Sequence, residues 1–358
     1  MSGGLDSSVT AWMLARAGEP VVGLSMLLWD RSGENAHGRC CGALDLGDAR
    51  RVARQFDIPH YTLSMEEEFR RHVVDPFVDD YLAGRTPVPC TRCNTWIKFD
   101  LFLEKARGLG ASRMATGHYA RIVEGENGFE LHRARYEGKD QSYYLFELTQ
   151  EQLAATRFPL GDMAKQEVRE LARKAGLLVA EKAESMEICF VAGGIRDFIE
   201  GELEAREGPE SPVAAAVGAP ARVVDRSGAV LGEGDPYYRY TVGQRRGLGV
   251  ATGEKLYVLG VSPQENRVVV GHSDDLLAGG LVGRGLHWIG REPEGPVEAT
   301  VRIRSRHAGV TARLEPGAGG KVQVEFARPQ RGVAPGQAAV FYSGTRVLGG
   351  CWIERSLG

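Results

Sequence analysis

The fold is decided by the stretch Ser2-Gly3-Gly4-Leu5-Asp6-Ser7-Ser8, close to the start of the 358-residue chain. Its glycines let the backbone approach an anion, and the amide groups of the following helix would point at that anion. Ser7 and Ser8 add hydroxyl donors, while Asp6 is expected to cap the helix or to hold Mg²⁺. A plain capped helix after a glycine turn would also fit this stretch. The apolar strand that follows the helix favours the anion site.

This stretch lacks the Gly-Lys-Ser/Thr of a Walker A loop. It resembles instead the pyrophosphate loop of enzymes that split ATP between its α and β phosphates. The resemblance implies that a carbonyl or amide oxygen is adenylated and that pyrophosphate is released. Because only Met1 precedes the stretch where a buried strand is usual, we expect a truncated or misassigned start, or a sheet without its first strand.

Strands and helices alternate through the first half of the chain. Helical spacing of apolar residues predicts helices over 6–17, 45–56, 66–82, 95–107, 150–155 and 165–175. Short apolar runs predict strands over 21–28, 60–63 and 112–116. This alternation favours an α/β fold built on a doubly wound parallel sheet.

The second half of the chain has a different texture, which begins after about Arg206. Residues 208–220 are rich in Gly, Pro and Ala and are predicted to form a linker or loop. Short β-rich runs separated by turn residues follow at 221–224, 256–261, 267–270, 298–304, 321–326, 338–342 and 347–353. This pattern is typical of small antiparallel barrels.

The composition is that of an ordinary globular protein, with 43% hydrophobic and 25% charged residues. No stretch is apolar enough for a membrane span, the start carries no signal peptide, and six cysteines without an export signal indicate a reducing compartment. We therefore expect a cytoplasmic protein.

The net charge of −3 hides an uneven distribution. From Leu281 onward the chain has 11 Lys and Arg against 6 Asp and Glu, a net +5, whereas the first 280 residues carry −8. Arg302, Arg304 and Arg306 alternate in a predicted strand, so they are expected on one face of a sheet. A solvated strand face and a phosphate-contacting surface both fit this spacing.

The cysteines suggest reactive thiols. Cys90-Thr91-Arg92-Cys93 precedes the predicted helix that carries Lys98, and a thiolate there would have a lowered pKa. Cys189 is expected at a strand end, and Cys351 is expected to fill core space. A Cys-x-x-Cys pair fits zinc, redox or catalytic roles, and Cys40-Cys41 fits a buried structural or a redox role.

Taken together, these strings resemble one family, the tRNA-uridine 2-sulfurtransferases (2-thiouridylases), over nearly the whole chain. The strings beyond the first are Gly84-Arg85-Thr86-Pro87, Cys93-Asn94, Ile97-Lys98-Phe99, Ala115-Thr116-Gly117-His118-Tyr119, Lys139-Asp140-Gln141-Ser142-Tyr143, Glu187-Ile188-Cys189-Phe190, Gly243-Gln244-Arg245-Arg246-Gly247-Leu248-Gly249, Pro335-Gly336-Gln337 and Gly349-Gly350. The resemblance implies ATP-dependent thiolation of the wobble uridine of tRNA. It also implies an ATP-pyrophosphatase (HUP-like) domain at 1–195, a central β-rich tRNA-binding domain at 196–275 and a C-terminal antiparallel β-barrel at 276–358.

The resemblance assigns roles to individual residues. Cys93 would be the nucleophile, and Cys189 would receive persulfide sulfur from a donor or relay protein. The residues implied to bind ATP with Mg²⁺ are Ser2, Gly3, Gly4, Leu5, Asp6 and Ser7, with Met26 and Gly117 bordering the nucleotide. The residues implied to touch tRNA are His118, Lys139, Asp140, Gln141, Arg304, Ser305 and Gln337, with Val88, Pro89 and Cys90 lining the target base.

The chain departs from the family at one position, because many members carry Asn-Pro-Asp where this chain has Val88-Pro89-Cys90. A thiol cannot replace an acceptor-only carboxylate. Cys90, Cys93 and Cys189 could instead hold an iron–sulfur cluster with one open iron. Two further functions compete with thiolation: a different ATP-pyrophosphatase ligase, which would need no thiols, and a non-catalytic RNA-binding protein.

Overall fold

The computed structural model describes residues 1–29, 43–183, 188–191, 193–208 and 211–358. The pair Cys40-Cys41, for which the sequence allows two roles, lies outside these ranges. None of the helices within them has the length and apolar character needed to cross a membrane.

The N-terminal part alternates strands and helices, as the sequence predicts. Its α-helices are α1 (Leu5–Arg16), α2 (Ala43–Gln55), α3 (Glu66–Phe69), α4 (Asp75–Leu82), α5 (Pro89–Arg92), α6 (Phe102–Gly108), α7 (Gln150–Ala154) and α8 (Lys165–Lys174). Its strands are β1 (Gly23–Leu27), β2 (His60–Ser64), β3 (Met114–Ala115), β4 (Ala120–Gly125), β5 (Gly128–Arg133) and β6 (Thr156–Arg157). The α/β class is therefore confirmed.

Two of these helical segments continue through π-helical turns. Residues Arg70–Val74 join α3 to α4, so the helix predicted over 66–82 is continuous. Residues Cys93–Leu101 join α5 to α6. The helix predicted to begin at residue 95 therefore begins at Pro89, which takes the first helical position where its missing N–H costs nothing.

In the N-terminal part, the described parallel strands pair as β1 with β2 and β3 with β6. The antiparallel hairpin β4–β5 was not predicted, although Asn127-Gly128 between alternating apolar residues is a strong hairpin signal.

The central part holds α9 (Ile195–Glu207), α10 (Pro212–Val217) and the strands β7 (Arg222–Val224), β8 (Val230–Glu233), β9 (Tyr257–Ser262) and β10 (Arg267–Gly271). These strands form one sheet in the order β8-β7-β10-β9. The prediction of a structureless linker over 208–220 is wrong in part, because α10 forms within it.

The C-terminal part is a closed antiparallel barrel. Its strands are β11 (Leu277–Trp288), β12 (Val297–Arg302), β13 (Val310–Gly317), β14 (Lys321–Arg331), β15 (Ala338–Ser343) and β16 (Arg346–Leu357). They follow the order β11-β14-β13-β12-β15-β16, and pairing of β11 with β16 closes the barrel. Cys351 is fully buried in the barrel core, as predicted, and burial raises the pKa of its thiol.

The barrel is joined to the N-terminal part by hydrogen bonding between strands. β16 pairs with β5, with Val347 opposite Leu131 and Arg346 opposite His132. One apolar core also runs through all three parts of the chain, since Phe99, Val223 and Val340 belong to the same buried cluster.

Short 3₁₀ turns complete the structure at Glu137–Lys139, Ser142–Leu145, Tyr237–Arg239, Pro263–Glu265, Ser273–Leu276 and Ala318–Gly320.

Candidate active site

The N-terminal loop is shaped by two glycines with different constraints. Gly3 has a φ of +70°, and a Cβ there would lie 1.9 Å from the carbonyl oxygen of Asp45, so only glycine fits. Among the described residues, a Cβ at Gly4 would meet only Ser2 Oγ, at an ordinary 3.5 Å. Packing among these residues therefore does not require Gly4 to lack a side chain. A ligand that approaches the backbone closely would need this space, which would explain the glycine at position 4.

Asp6 does not cap the first helix. The N-cap is Gly4, which makes no side-chain cap, and Asp6 is the second residue of α1. Its carboxylate accepts hydrogen bonds from Lys165 Nζ at 2.7 and 2.8 Å and from the Tyr119 hydroxyl at 2.8 Å. The capping expectation is therefore wrong, whereas a cation-binding carboxylate fits what is observed. Mg²⁺ in nucleotide sites uses one or two carboxylates plus substrate phosphates, and Asp6 can supply one.

Lys165 and Lys182 are site residues that the sequence did not reveal. Lys182 Nζ donates to the Gly3 carbonyl oxygen at 3.0 Å and to Asp45 and Asp48 at 2.6 Å each. Although burial opposes its charge, hydrogen bonds to the two carboxylates raise the pKa of Lys182. Both lysines lie far along the chain from the loop, and no local spacing connects them to it.

Gly117 and His118 connect the loop to the helix that bears Cys93. A Cβ on Gly117 would lie 2.8 Å from the backbone carbon of Asp6, so this glycine packs directly on the start of α1. The half-buried ring of His118 lies between Phe99 and Phe158. Its centroid is 5.6 Å from that of Phe99 and 5.8 Å from that of Phe158, and its Nδ1 is 2.8 Å from Thr116 Oγ1. Burial, together with the nearby Lys98 ammonium, holds the pKa of His118 well below its usual value.

The remaining predicted nucleotide residue, Met26, is partly buried near the carboxyl end of β1. Ligands of open α/β sheets bind at the carboxyl ends of parallel strands. Its role at the nucleotide stays a prediction.

The two cysteines of the Cys-x-x-Cys pair occupy different environments. Val88 is the N-cap and Pro89 the first helical residue, which puts Cys90 in the first turn, where it is exposed. Cys93 lies one turn further on and is 8% exposed. The expectation that Cys93 precedes the helix is therefore wrong, and the helix N-terminus acts on Cys90 instead, because its effect fades within the first turn.

The strand expected to end near Cys189 would lie largely at residues 184–187, outside the described ranges. The described segment 188–191 forms a turn in which Cys189 is partly exposed. Ile188 and Cys189 pack against the core cluster that also contains Cys93. This placement gives Cys189 contact with the surface, which a sulfur-accepting thiol needs.

The described residues do not fit an iron–sulfur cluster. Among them, no three His, Cys, Asp or Glu side chains gather as metal ligands, so Cys90, Cys93 and Cys189 do not form a ligand set.

Asp140 is a buried carboxylate that lies between two arginines. Its side chain is 1% exposed and lies 3.3 Å from Arg133 and 3.1 Å from Arg302. It also accepts from the Ser142 hydroxyl and from the amides of Ala134 and Ser142, each at 3.1 Å. The predicted contact of Asp140 with tRNA stays a prediction.

The residues on either side of Asp140 were also predicted to touch tRNA. Lys139 ends a 3₁₀ turn, and the Gln141 side chain accepts the Tyr119 amide at 2.9 Å. Their contact with tRNA stays a prediction.

The three barrel arginines do not share a sheet face. β12 ends at Arg302, whose side chain is 11% exposed because it turns inward to Asp140. Arg304 and Arg306 lie beyond the strand and are exposed. The expected alternation is therefore wrong, although Arg304 and Arg306 remain available to phosphate.

The barrel also contacts the segment that precedes Cys93. Burial raises the pKa of Tyr144, whose hydroxyl lies near both Ser305 and Cys90. The Gln337 side chain donates to the Thr86 carbonyl oxygen at 3.1 Å, and the Thr86 amide donates to Pro335 at 2.8 Å. The predicted RNA residue Gln337 thus holds Thr86 against the barrel.

The fold and the site define a multidomain protein whose first domain belongs to the HUP class. Three family models match in order: the tRNA methyl transferase HUP domain over residues 1–193, the tRNA methyl transferase PRC-barrel domain over 214–272 and the aminomethyltransferase beta-barrel domain over 279–353.

Relatives that match over the whole chain carry one name, tRNA-specific 2-thiouridylase MnmA. The protein of that name from Solibacter usitatus is 52% identical, covering 99% of this chain and 98% of its own length. Those from Geotalea uraniireducens and Clostridium perfringens are 50% and 42% identical, each covering 100% of this chain and 94% and 98% of their own lengths. The chain therefore belongs to the tRNA-specific 2-thiouridylase family.

Proposed function

We propose that this chain catalyses ATP-dependent 2-thiolation of the wobble uridine of tRNA in the cytoplasm. ATP adenylates the C2 oxygen of the uridine, and sulfur then reaches C2 from a persulfide on Cys189, with Cys93 as nucleophile. The sulfur comes from a persulfide donor or relay protein.

One observation carries this proposal: the contacts of the consecutive residues Gly117 and His118. Gly117 packs on the backbone of Asp6, and His118 packs on Phe99, which lies in the helix that begins with Cys90 and Cys93. The anion-binding loop and the thiol-bearing helix are therefore neighbours across a single dipeptide. A reaction that uses ATP and a thiol on one base needs this proximity.

The first step makes the uridine C2 oxygen a leaving group. That oxygen attacks the α-phosphorus of ATP, a P–O bond breaks and pyrophosphate leaves. The residues suited to hold the phosphates are the loop 2–7 and the cations Lys165 and Lys182, which face it through Asp6 and Gly3. Mg²⁺ on Asp6 would supply charge neutralisation on the phosphates when bound.

The second step replaces oxygen by sulfur. The terminal sulfur of the Cys189 persulfide attacks C2, and AMP leaves with the C2 oxygen. The Cys93 thiolate then attacks Cys189 Sγ, and the electron pair of the broken S–S bond stays on the sulfur bound to C2. In the other order, Cys93 first releases hydrosulfide, which then attacks C2. Either order leaves a Cys93–Cys189 disulfide, which an external thiol must reduce.

The RNA contacts proposed for this step come from both ends of the chain. The target base must leave its stack to reach ATP and thiol. The segment Val88-Pro89-Cys90 lies at the start of the reactive helix, and Cys90 and Ser305 both lie near the Tyr144 hydroxyl. A base bound there would contact an exposed thiol at Cys90 instead of the carboxylate found in many relatives. Arg304 would bind phosphate nearby.

The test is sulfur transfer to unmodified tRNA in the presence of ATP and a persulfide donor, using wild type, Cys93→Ser and Cys189→Ser. Mass spectrometry of the nucleosides distinguishes sulfur-for-oxygen exchange from methylation. Pyrophosphate release reports the adenylation step separately. Both serine variants should release pyrophosphate yet form no thiouridine.

Cys351→Ala is the matched control, because Cys351 is buried in the barrel core. This variant should thiolate tRNA at the wild-type rate. If both serine variants still thiolate the wobble uridine, the proposed relay is wrong.

A further inference from the structure

The helical turn that carries Cys93 is held from outside at three of its residues. Asn94 Nδ2 donates to the Tyr144 carbonyl oxygen at 3.0 Å, and Thr95 Oγ1 donates to Glu147 Oε2 at 2.7 Å. On the other side of Cys93, the Arg92 guanidinium lies over an indole ring of the barrel, with 5.6 Å to the centroid. The orientation of the Cys93 backbone is therefore set by neighbours outside its own helix.

Glu147 connects this turn to the barrel. While Oε2 accepts from Thr95, Oε1 accepts from Trp352 Nε1 at 2.8 Å. Trp352 lies on β16, where it pairs with Ala338 and Arg284, and its ring also contacts Phe146 with centroids 5.9 Å apart. One carboxylate thus joins the last barrel strand to a residue two positions after Cys93.

The local backbone makes such support necessary. The segment Cys93–Leu101 is π-helical, a rare geometry that occurs mostly as single turns at functional sites. Contacts from Glu147 and Tyr144 to Thr95 and Asn94 fall in the first turn of this segment.

We propose that Glu147 is a positioning residue that, together with Trp352, couples the barrel to the placement of the Cys93 thiol. The inference rests on the proposed function, in which Cys93 attacks the Cys189 persulfide. Glu147 touches neither substrate nor thiol and acts through Thr95. The barrel supplies contacts proposed for tRNA. The Glu147 bridge therefore connects tRNA binding at the barrel to the alignment of the Cys93 thiol.

Substitutions of Glu147 and Trp352 can distinguish whether Glu147 acts as a hydrogen-bonding bridge or through its negative charge. In Glu147→Gln, Oε1 still accepts from Trp352, while Nε2 donates to Thr95 Oγ1. The single Thr95 hydroxyl hydrogen is then donated to the Thr91 carbonyl oxygen, which lies 3.0 Å away. Glu147→Ala removes both ends of the bridge, and Trp352→Phe removes one end but keeps the ring that faces Arg92 and Phe146.

The experiment compares these variants in single-turnover thiolation of unmodified tRNA, with ATP and enzyme loaded with persulfide by polysulfide. Pyrophosphate release is measured in the same reactions. The rate of Cys93 alkylation by iodoacetamide is followed against pH by peptide mass spectrometry. Glu151→Ala is the control, because Glu151 is an exposed glutamate four residues further along the chain that pairs with Arg107.

We expect Glu147→Ala to slow thiolation on the order of 10- to 100-fold, the effect of a misplaced reacting group, and to alter the pH profile of Cys93 alkylation. Pyrophosphate release should stay at the wild-type rate. Glu147→Gln and the control should resemble wild type, and Trp352→Phe should be intermediate.

Three outcomes would overturn the inference. They are wild-type thiolation in Glu147→Ala, equal loss of thiolation and pyrophosphate release, and a Glu147→Gln variant as impaired as Glu147→Ala. If Glu147→Ala does not fold, Trp352→Phe takes its place, because wild-type thiolation in that variant would reject the coupling. A thiolating Cys93→Ser variant would instead refute the proposed function.

Discussion

Asp140 and Arg302 form a buried ion pair at 3.1 Å that ties the first domain to the barrel across 162 positions of sequence. The guanidinium also donates to the carbonyl oxygens of Ser305 and His307, the latter at 2.8 Å. Arg302 therefore fixes the turn that presents Arg304 and Arg306. The ion pair therefore also determines the conformation of the turn that is proposed to face RNA.

Asp140→Asn is expected to lower the free energy of unfolding by about 3–5 kcal/mol, because it leaves Arg133 and Arg302 without their buried carboxylate. Urea unfolding measures this loss. The exposed pair Arg313–Glu315 provides the control, and Glu315→Gln should change stability by less than about 1 kcal/mol. If Asp140→Asn lowered the free energy of unfolding by as little as the control does, the buried ion pair would contribute no more to stability than an exposed one.

Gly117→Ala should weaken ATP binding. The new Cβ would lie 2.8 Å from the backbone of Asp6, which cannot give way as a flexible side chain would, so the loop must shift. Isothermal titration with ATP measures the change. Gly108→Ala is the control, because a Cβ there meets nothing within 4 Å and affinity should not change. Equal affinities for both variants would argue against the loop as the ATP site.

His118→Gln should flatten the loss of stability in mild acid. Because burial lowers the native pKa of His118, the unfolded chain binds a proton that the native ring refuses as pH falls below about 6.5. The free energy of unfolding therefore falls with pH in this window. Burial also lowers the pKa of His60 and His307, so the variant should retain part of the slope. Urea midpoints from neutral pH to about pH 5 test this, and parallel curves would contradict it.

Arg304→Ala should weaken tRNA binding and lower the salt slope by about one phosphate contact. The side chain is exposed, and within the protein its Nη1 reaches the Arg331 carbonyl oxygen at only 3.3 Å. Binding measured over a series of salt concentrations gives the slope. Arg313→Ala, another exposed barrel arginine, is the comparison. An unchanged slope for Arg304→Ala would remove it from the RNA surface.

Local patterns predicted local structure well. The helical spacing around Val9 and Trp12 predicted α1 to within a residue at each end. The apolar run around Met26 predicted β1, although the strand is shorter than the run. Pro89 was a signal for an earlier helix start. Because the helix begins at Pro89, Cys93 lies within the helix and not before it, as had been predicted.

Pairings between distant residues could not be predicted in this way. Nothing near Arg302 indicates that it turns inward to Asp140, because strand alternation assigns a face but not a partner. The cations Lys165 and Lys182 likewise join the loop only through the tertiary fold. The resemblance placed Gly117 beside the nucleotide, and the structure packs Gly117 on Asp6 of the loop, although its role at the nucleotide stays a prediction.

The pairing of β16 with β5 bears on how this protein can change over time. The first and last matched domains share a hydrogen-bonded sheet, so excising either one would bare an edge strand prone to aggregation. Exchange of a single domain between lineages would therefore be disfavoured. The three domains should be inherited as one unit. A substitution on one of the two paired strands should be accompanied by a compensating substitution on the other.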